Sequence, residues 1–316
     1  MSSDWDSLTA DEISKGLWSA EKTSRQTGKV CVYNQALHKA NLRRSKLEKE
    51  LHRGLETGMV KPYFQPIVSS TDHALVGFEA LARFEHPQMG MISPAEFIPV
   101  AEQSGMMCDL GNVILRESMA GIRRLMEKAG HSAPLYVSVN ISVLQLMSDD
   151  FAGRLIRMVD QSGVPRRCLR LEVTESLFVE NMDHAIQQLA QLRAAGIRIA
   201  LDDFGTGYSS LSYLRRLPID VLKIDRSFVT RSHEDESNVA ILRTVYDLAR
   251  ELSLEVVAEG IENLQELNVL NALGPMGLQG YYFSKPMPES MLGDFVAAWS
   301  KGLNHQSPSV TVKARH

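Results

Sequence analysis

From residue 62 to 298, short apolar runs alternate with longer stretches whose apolar residues recur every three or four positions. The first pattern fits strands buried in a sheet, and the second fits helices with one apolar face. The runs predict strands at 63–68, 75–82, 135–140, 169–174, 197–202, 221–225, 255–258 and 277–282. Helical periodicity falls between them at 94–104, 109–129, 150–162, 182–194, 236–252 and 263–272. Eight strands with intervening helices favour an α/β fold of the (β/α)8, or TIM barrel, kind over a doubly wound sheet. The first two strands are joined by Ser69-Ser-Thr-Asp-His-Ala, too short for a parallel crossover. The expected fold is therefore a modified TIM barrel with one antiparallel strand.

The flanks read differently. Residues 1–34 form a polar N-terminal appendage with one short apolar run, Val30-Cys31-Val32-Tyr33. The Lys/Arg/Glu-rich stretch 35–58 carries Leu47, Leu51 and Leu55 at four-residue spacing, one narrow apolar stripe on a helix. It reads equally as a linker helix or as the first surface helix of the main domain, which is expected over 59–300. The segment 301–316 is polar and predicts a disordered tail.

Composition changes this picture little. With 44% hydrophobic and 23% charged residues the chain is that of a globular protein, and a net charge of −4 offers no basic stripe for long nucleic acid. No apolar run approaches the roughly 18 residues of a spanning helix, and the N-terminus lacks the pattern of a secretory signal. Cys31, Cys108 and Cys168 are scattered and odd in number, which fits reduced thiols in a cytoplasmic protein. No histidine stands at zinc-ligand spacing from another ligand.

Polar residues at the ends of the apolar runs carry the candidate chemistry, because a barrel's reactive groups lie at its C-terminal strand ends. Glu79, Asn140, Glu172, Asp202, Asp203, Lys223, Glu259 and Gln279 all occupy such positions. One carboxylate at a strand end is ordinarily a helix cap or a solvated loop residue. A recurrence over seven strand ends is not explained by capping. Closed into a barrel, these carboxylates would repel one another unless cations neutralised them. Oxygen donors without His or Cys select hard ions, Mg²⁺ or Mn²⁺. Adjacent Asp202 and Asp203 diverge, so each could serve a different ion. Lys223 in this nest would stay charged and could orient a water. In Asp202-Asp-Phe-Gly-Thr-Gly-Tyr-Ser-Ser, Gly205 and Gly207 allow a tight turn whose backbone N–H groups could meet a phosphate. The plainer reading is a strand-to-helix turn capped by Ser209; the double aspartate before it favours the first.

These residues stand in a series of motifs. Glu79-Ala-Leu lies within Gly-Phe-Glu-Ala-Leu-Ala-Arg-Phe, and Tyr63-Phe-Gln-Pro-Ile-Val precedes it. Ser138-Val-Asn-Ile-Ser, Leu171-Glu-Val-Thr-Glu-Ser, the Asp202 loop, Leu222-Lys-Ile-Asp, Val257-Ala-Glu-Gly-Ile-Glu and Gln279-Gly-Tyr-Tyr-Phe-Ser-Lys-Pro follow. In this order the sequence closely resembles the EAL domain family of cyclic-di-GMP phosphodiesterases, over residues 45–295 or so.

The resemblance implies that Glu79, Asn140, Glu172 and Asp202 hold one metal, with Asp203, Asp202 and Glu259 at a second. It gives Lys223 to the nucleophilic water and Gln279 to ordering water and metal-bound groups. Gln65 and Arg83 match substrate-contacting positions, alongside Asp203 and Gln279, and Glu175 matches a glutamate that anchors the Asp202 loop. No ligand position departs from the family pattern, which favours turnover over a receptor role. The N-terminal stretch is loosely similar to the last helix and strand of a GGDEF domain, without that family's signature, so no cyclase activity is expected. The chain is then either a fragment of a longer tandem protein with an upstream GGDEF or sensor domain, or carries a vestige. A homodimer through the barrel is implied by the same resemblance.

The expected activity is two-metal hydrolysis of cyclic di-GMP to linear pGpG in bacterial second-messenger signalling, with Lys223, Glu259 and Glu79 catalytic. One alternative is a non-catalytic cyclic-di-GMP receptor acting through helix 35–58. Another is a Schiff-base lyase on Lys223, disfavoured because surrounding carboxylates would keep that amine protonated.

Overall fold

The computed structural model describes residues 35–129, 135–175, 182–205 and 214–302. The appendage at 1–34, the tail from 303, and the turn residues Gly207 and Ser209 fall outside them. The described chain divides into two compact units, one of residues 35–59 with 84–106 and one of residues 60–83 with 107–302.

The first unit holds helix α1 (Gln35–Thr57), the end of strand β2 (Leu75–His86), strand β3 (Gly90–Ile92) and helix α2 (Pro94–Gln103). Two leucines of the predicted stripe, Leu47 and Leu51, are fully buried, and Leu55 is half-buried. Arg43 on α1 grips the Glu96 carboxylate on α2 with both Nε and Nη2. His86 is buried with its Nε2 3.0 Å from Glu50 Oε2, while its Nδ1 accepts from the Gln88 and Met89 amides. Those two amides fix the tautomer: Nδ1 is the acceptor and Nε2 the donor.

The second unit is a closed eight-stranded barrel. Its strands are β1 (Val60–Ser69), β2 up to Arg83, β4 (Tyr136–Asn140), β5 (Leu169–Thr174), β6 (Arg198–Phe204), β7 (Val221–Ile224), β8 (Glu255–Ala258) and β9 (Gly277–Leu278). From β2 round to β9 every neighbour pair is parallel. Strand β1 closes the ring by pairing with β2 on one side and antiparallel with β9 on the other, through Val68–Leu278 and Ser69–Gly277. The single reversed strand expected from the short β1–β2 connection is present. The parallel strands read as almost continuous buried runs, all four residues in β7 and five of six in β5, as sheets covered on both faces require.

Several short elements escaped the sequence reading, among them the helices Val143–Leu146 and Arg226–Val229. Strands β3 and β10 (Met287–Pro288) are three and two residues long, too short to show a period, and pair antiparallel with β2 and β1. Helix α10 (Leu292–Ser300) buries Leu292 and Trp299 against the barrel unit. The 277–282 run pairs in the ladder only at Gly277 and Leu278. The Gln279 amide still donates to Ala258 O beside the Leu278–Ala258 pair, while its carbonyl accepts from the Ile261 amide. Glycine is required next: a Cβ on Gly280 would lie 2.0 Å from Ile261 O.

Helices pack outside the barrel through short apolar stripes. Helix α5 (Phe151–Ser162) buries Phe151, Ala152, Leu155 and Val159, and helix α8 (Glu236–Glu251) buries Leu242, Val245, Tyr246 and Ala249. Asp235 caps α8 by accepting from the Ser237 amide. Helix α3 (Met107–Ala129) comes close to β1 because residue 121 is glycine; a Cβ there would stand 2.9 Å from Phe64.

The N-terminal floor of the barrel carries a second polar group. Arg170 is buried, its guanidinium 3.9 Å from the Tyr136 ring centroid, with Nη2 donating to Glu255 Oε2 at 3.1 Å. Arg198 reaches the other oxygen of Glu255 at 2.8 Å. One carboxylate on β8 thus ties β5 and β6 across the floor.

Candidate active site

Parallel strands deliver their C-terminal ends to one mouth, and the predicted residues meet there. Glu79 sits on β2, Asn140 ends β4, Glu172 is on β5, Asp202 on β6, Lys223 on β7, and Glu259 follows β8. The parallel register sets Asn140 beside Glu172 and Thr174 beside Asp202.

Lys223 occupies the centre. Its Nζ stands 2.6 Å from Glu172 Oε2, 3.3 Å from Asp202 Oδ1 and 3.7 Å from Glu79 Oε2, and it is ion-paired with Glu259 Oε1. The lysine is 1% exposed and Glu172 likewise. Carboxamides complete the shell. Asn140 Nδ2 donates to Glu79 Oε1 at 2.9 Å, and Gln279 Nε2 donates to Glu79 Oε2 at 2.5 Å and to Gln65 Oε1 at 3.2 Å. Gln65 in turn donates to the Ser284 carbonyl at 3.2 Å. A chain of amides therefore runs from the reversed strand to the Glu79 carboxylate.

The electrostatics follow from one ammonium among four carboxylates, three of them buried and Glu259 partly so. Burial works against the Lys223 charge, but Glu172, Glu259 and Glu79 together hold it well above the ordinary lysine range. Burial, then the Glu79 charge, pushes Glu172 well above the ordinary carboxylate range. Burial also acts on Glu79, yet Lys223 and the Gln279 hydrogen bond leave it below that range. Glu259 is lifted by burial to about 8, against the pull of Lys223.

The double aspartate diverges as its spacing implied. Asp202 is buried and faces Lys223, whereas Asp203 is exposed and adopts a left-handed φ of 55°. The β6–β7 register shifts between Leu201 and Phe204, so the irregularity falls on this pair. Asp203 lies above the ordinary carboxylate range, through partial desolvation and then the neighbouring Asp202. Arg83 is half-buried, its guanidinium carbon 6.0 Å from the Tyr63 ring centroid, and burial lowers its pKa. Glu175 is buried just beyond β5.

Sequence reasoning missed one buried contact: Ser138 Oγ donates to Glu172 Oε1 at 2.5 Å. The available signal was period two on β4, which puts Ser138 on the same face as Asn140.

The donor set fits hard divalent ions. It consists of carboxylate and carboxamide oxygens, its negative charge exceeds what one ammonium balances, and Gln279 Oε1 is buried with no hydrogen-bond partner among the described residues. Among the described residues no three acidic, histidine or cysteine side chains are arranged to hold an ion as they stand. Lys223 lies between them instead, so ion binding would require the carboxylates to turn from it.

A closed α/β barrel with an acidic, lysine-centred mouth defines the class of protein. The chain belongs to the EAL domain family, whose match runs over residues 48–286. It is 38% identical over 253 residues to the cyclic di-GMP phosphodiesterase NbdA of Pseudomonas aeruginosa, covering 80% of this chain and 32% of NbdA. It is 36% identical over 262 residues to the bifunctional diguanylate cyclase/cyclic di-GMP phosphodiesterase MucR of the same species, covering 83% of this chain and 38% of MucR. The chain thus spans about a third of the length of these curated relatives. Among solved structures, the PaMucR phosphodiesterase in complex with c-di-GMP superposes with a TM-score of 0.74 at 37% identity, over 78% of this chain and 99% of that one. Among the described residues no helix is long and apolar enough to cross a membrane.

Proposed function

We propose that this chain is a phosphodiesterase that opens cyclic di-GMP to linear pGpG with the help of two divalent ions. The observation that carries the reading is the Lys223-centred group of Glu79, Glu172, Asp202 and Glu259 at the mouth of an EAL-family barrel. Glu79, Asn140, Glu172 and Asp202 would hold one Mg²⁺ or Mn²⁺, and Asp203, Asp202 and Glu259 the other. Bound there, the ions supply Lewis acidity, lowering the pKa of water and offsetting phosphate charge.

The protein's own groups do the rest. A water attacks phosphorus in line, a new P–O bond forms, and the bond to the 3′ oxygen breaks, that oxygen leaving as the ribose hydroxyl after taking a proton from solvent. Lys223, held protonated by its neighbours, donates a hydrogen bond that orients the attacking water. Glu259, ionised once an ion has displaced its proton, is the group placed to accept the proton that water loses. Arg83 and Gln65 would bind the base or phosphate, and Glu175 would anchor the loop after Asp203. The same reading places the chain in the cytoplasm as a homodimer below a GGDEF or sensor domain.

The test is incubation of the purified protein with cyclic di-GMP, with Mg²⁺, Mn²⁺ or a chelator, followed by chromatography. Linear dinucleotide formed only with the ions is the expected result. Tight binding without product would establish a receptor instead.

A further inference from the structure

We propose that Ser138 is a positioning residue that sets divalent-ion affinity by holding the Glu172 carboxylate in one orientation. This rests on the two-ion reading above. Ser138 is fully buried, and its hydroxyl meets Glu172 Oε1 at 2.5 Å while Lys223 Nζ meets Oε2 at 2.6 Å. Each carboxylate oxygen therefore has a donor, which fixes rotation about the last side-chain bond.

The backbone adds to the restraint. Asn140 pairs in register with Glu172, and the Ile141 amide donates to the Glu172 carbonyl at 2.8 Å. Strand β4 thus grips residue 172 at both main chain and side chain. When Oε2 leaves Lys223 for a cation, Ser138 still holds Oε1, and the carboxylate pivots about a fixed point. Alanine at 138 would strip a buried acceptor of that donor, and the carboxylate would relieve the loss by turning. A partner behind a metal ligand commonly changes ion affinity by about 10–100-fold.

The test compares Mn²⁺ affinity, by electron paramagnetic resonance or calorimetry on the full chain, for wild type, Ser138→Ala and Ser138→Cys. Alanine removes the hydroxyl, and the somewhat larger cysteine donates only weakly, so both variants should bind Mn²⁺ about 10–100-fold less tightly. Their kcat should recover as Mn²⁺ is raised. Ser118→Ala is the control: that buried hydroxyl on α3 has no hydrogen-bond partner among the described residues, and its loss should leave Mn²⁺ affinity unchanged. Either Ser138 variant binding Mn²⁺ as wild type does would overturn the proposal. A wild-type chain that binds no Mn²⁺ would instead remove the two-ion reading, and this inference with it.

Discussion

Lys223 Nζ and Glu172 Oε2 lie 2.6 Å apart, both side chains almost wholly out of solvent. A buried ion pair is costly to split, because removing one partner leaves the other charged and unpaired. Lys223→Met should therefore destabilise the ion-free protein by about 3–5 kcal/mol, and Mn²⁺ should recover part of that loss. Turnover should fall by at least about 100-fold even at saturating Mn²⁺, since the water-orienting donor is gone. Thermal melts with and without the ion, beside product chromatography, check both statements.

Glu79 accepts from Asn140 and Gln279 and faces Lys223, so it links three parts of the mouth. Glu79→Ala should abolish metal-dependent opening of cyclic di-GMP while the barrel still folds, read by circular dichroism. Full activity in that variant would remove the assignment of the mouth as the reacting centre.

The raised Glu259 gives a pH dependence with a definite sign. Its folded pKa of about 8 stands above its ordinary 4.5. The neutral acid is thus the form favoured in the folded protein. Its contribution to stability is complete below pH 4.5 and is lost as pH rises through 8. Ion-free protein should melt at progressively lower temperature across that window. Mn²⁺ competes with the same proton, so its affinity should climb over the same range. Melting curves and Mn²⁺ titrations at several pH values decide it.

Replacing Mg²⁺ or Mn²⁺ with Ca²⁺ should preserve cyclic di-GMP binding and depress kcat. Calcium's larger and looser coordination holds ligands without fixing the water. Calorimetry in Ca²⁺ followed by product analysis separates the two effects.

At the opposite end of the barrel, Arg170→Leu removes the guanidinium from the Tyr136 face and from Glu255. The expected loss is about 1–3 kcal/mol in denaturant unfolding, with Mn²⁺ affinity unchanged. A parallel fall in ion affinity would show that floor and mouth are coupled.

The barrel was legible because its parallel strands are buried on both faces and so stand out as unbroken apolar runs. Strands β5 and β8 begin and end where those runs do. The mouth was legible for a related reason: polar residues break these apolar runs toward their C-terminal ends, and parallel order brings most of them together. What stayed hidden depends on contacts across the ring. Nothing local to Leu278 shows that the next carbonyl, that of Gln279, is taken by the Ile261 amide. Nothing local to Ser138 shows that its hydroxyl meets a carboxylate 34 positions away. The central place of Lys223 likewise follows from four chains of geometry meeting, not from its own neighbours.

The reversed strand has a consequence for biosynthesis. Val68 pairs with Leu278, so the first strand of the barrel waits for the last one before the ring can shut. Throughout translation β1 carries an open edge, and its partner emerges only after most of the domain. A chain stopped before residue 277 is left with that seam unsealed, and ribosome-stalled lengths ending there should be the most prone to chaperone capture and aggregation.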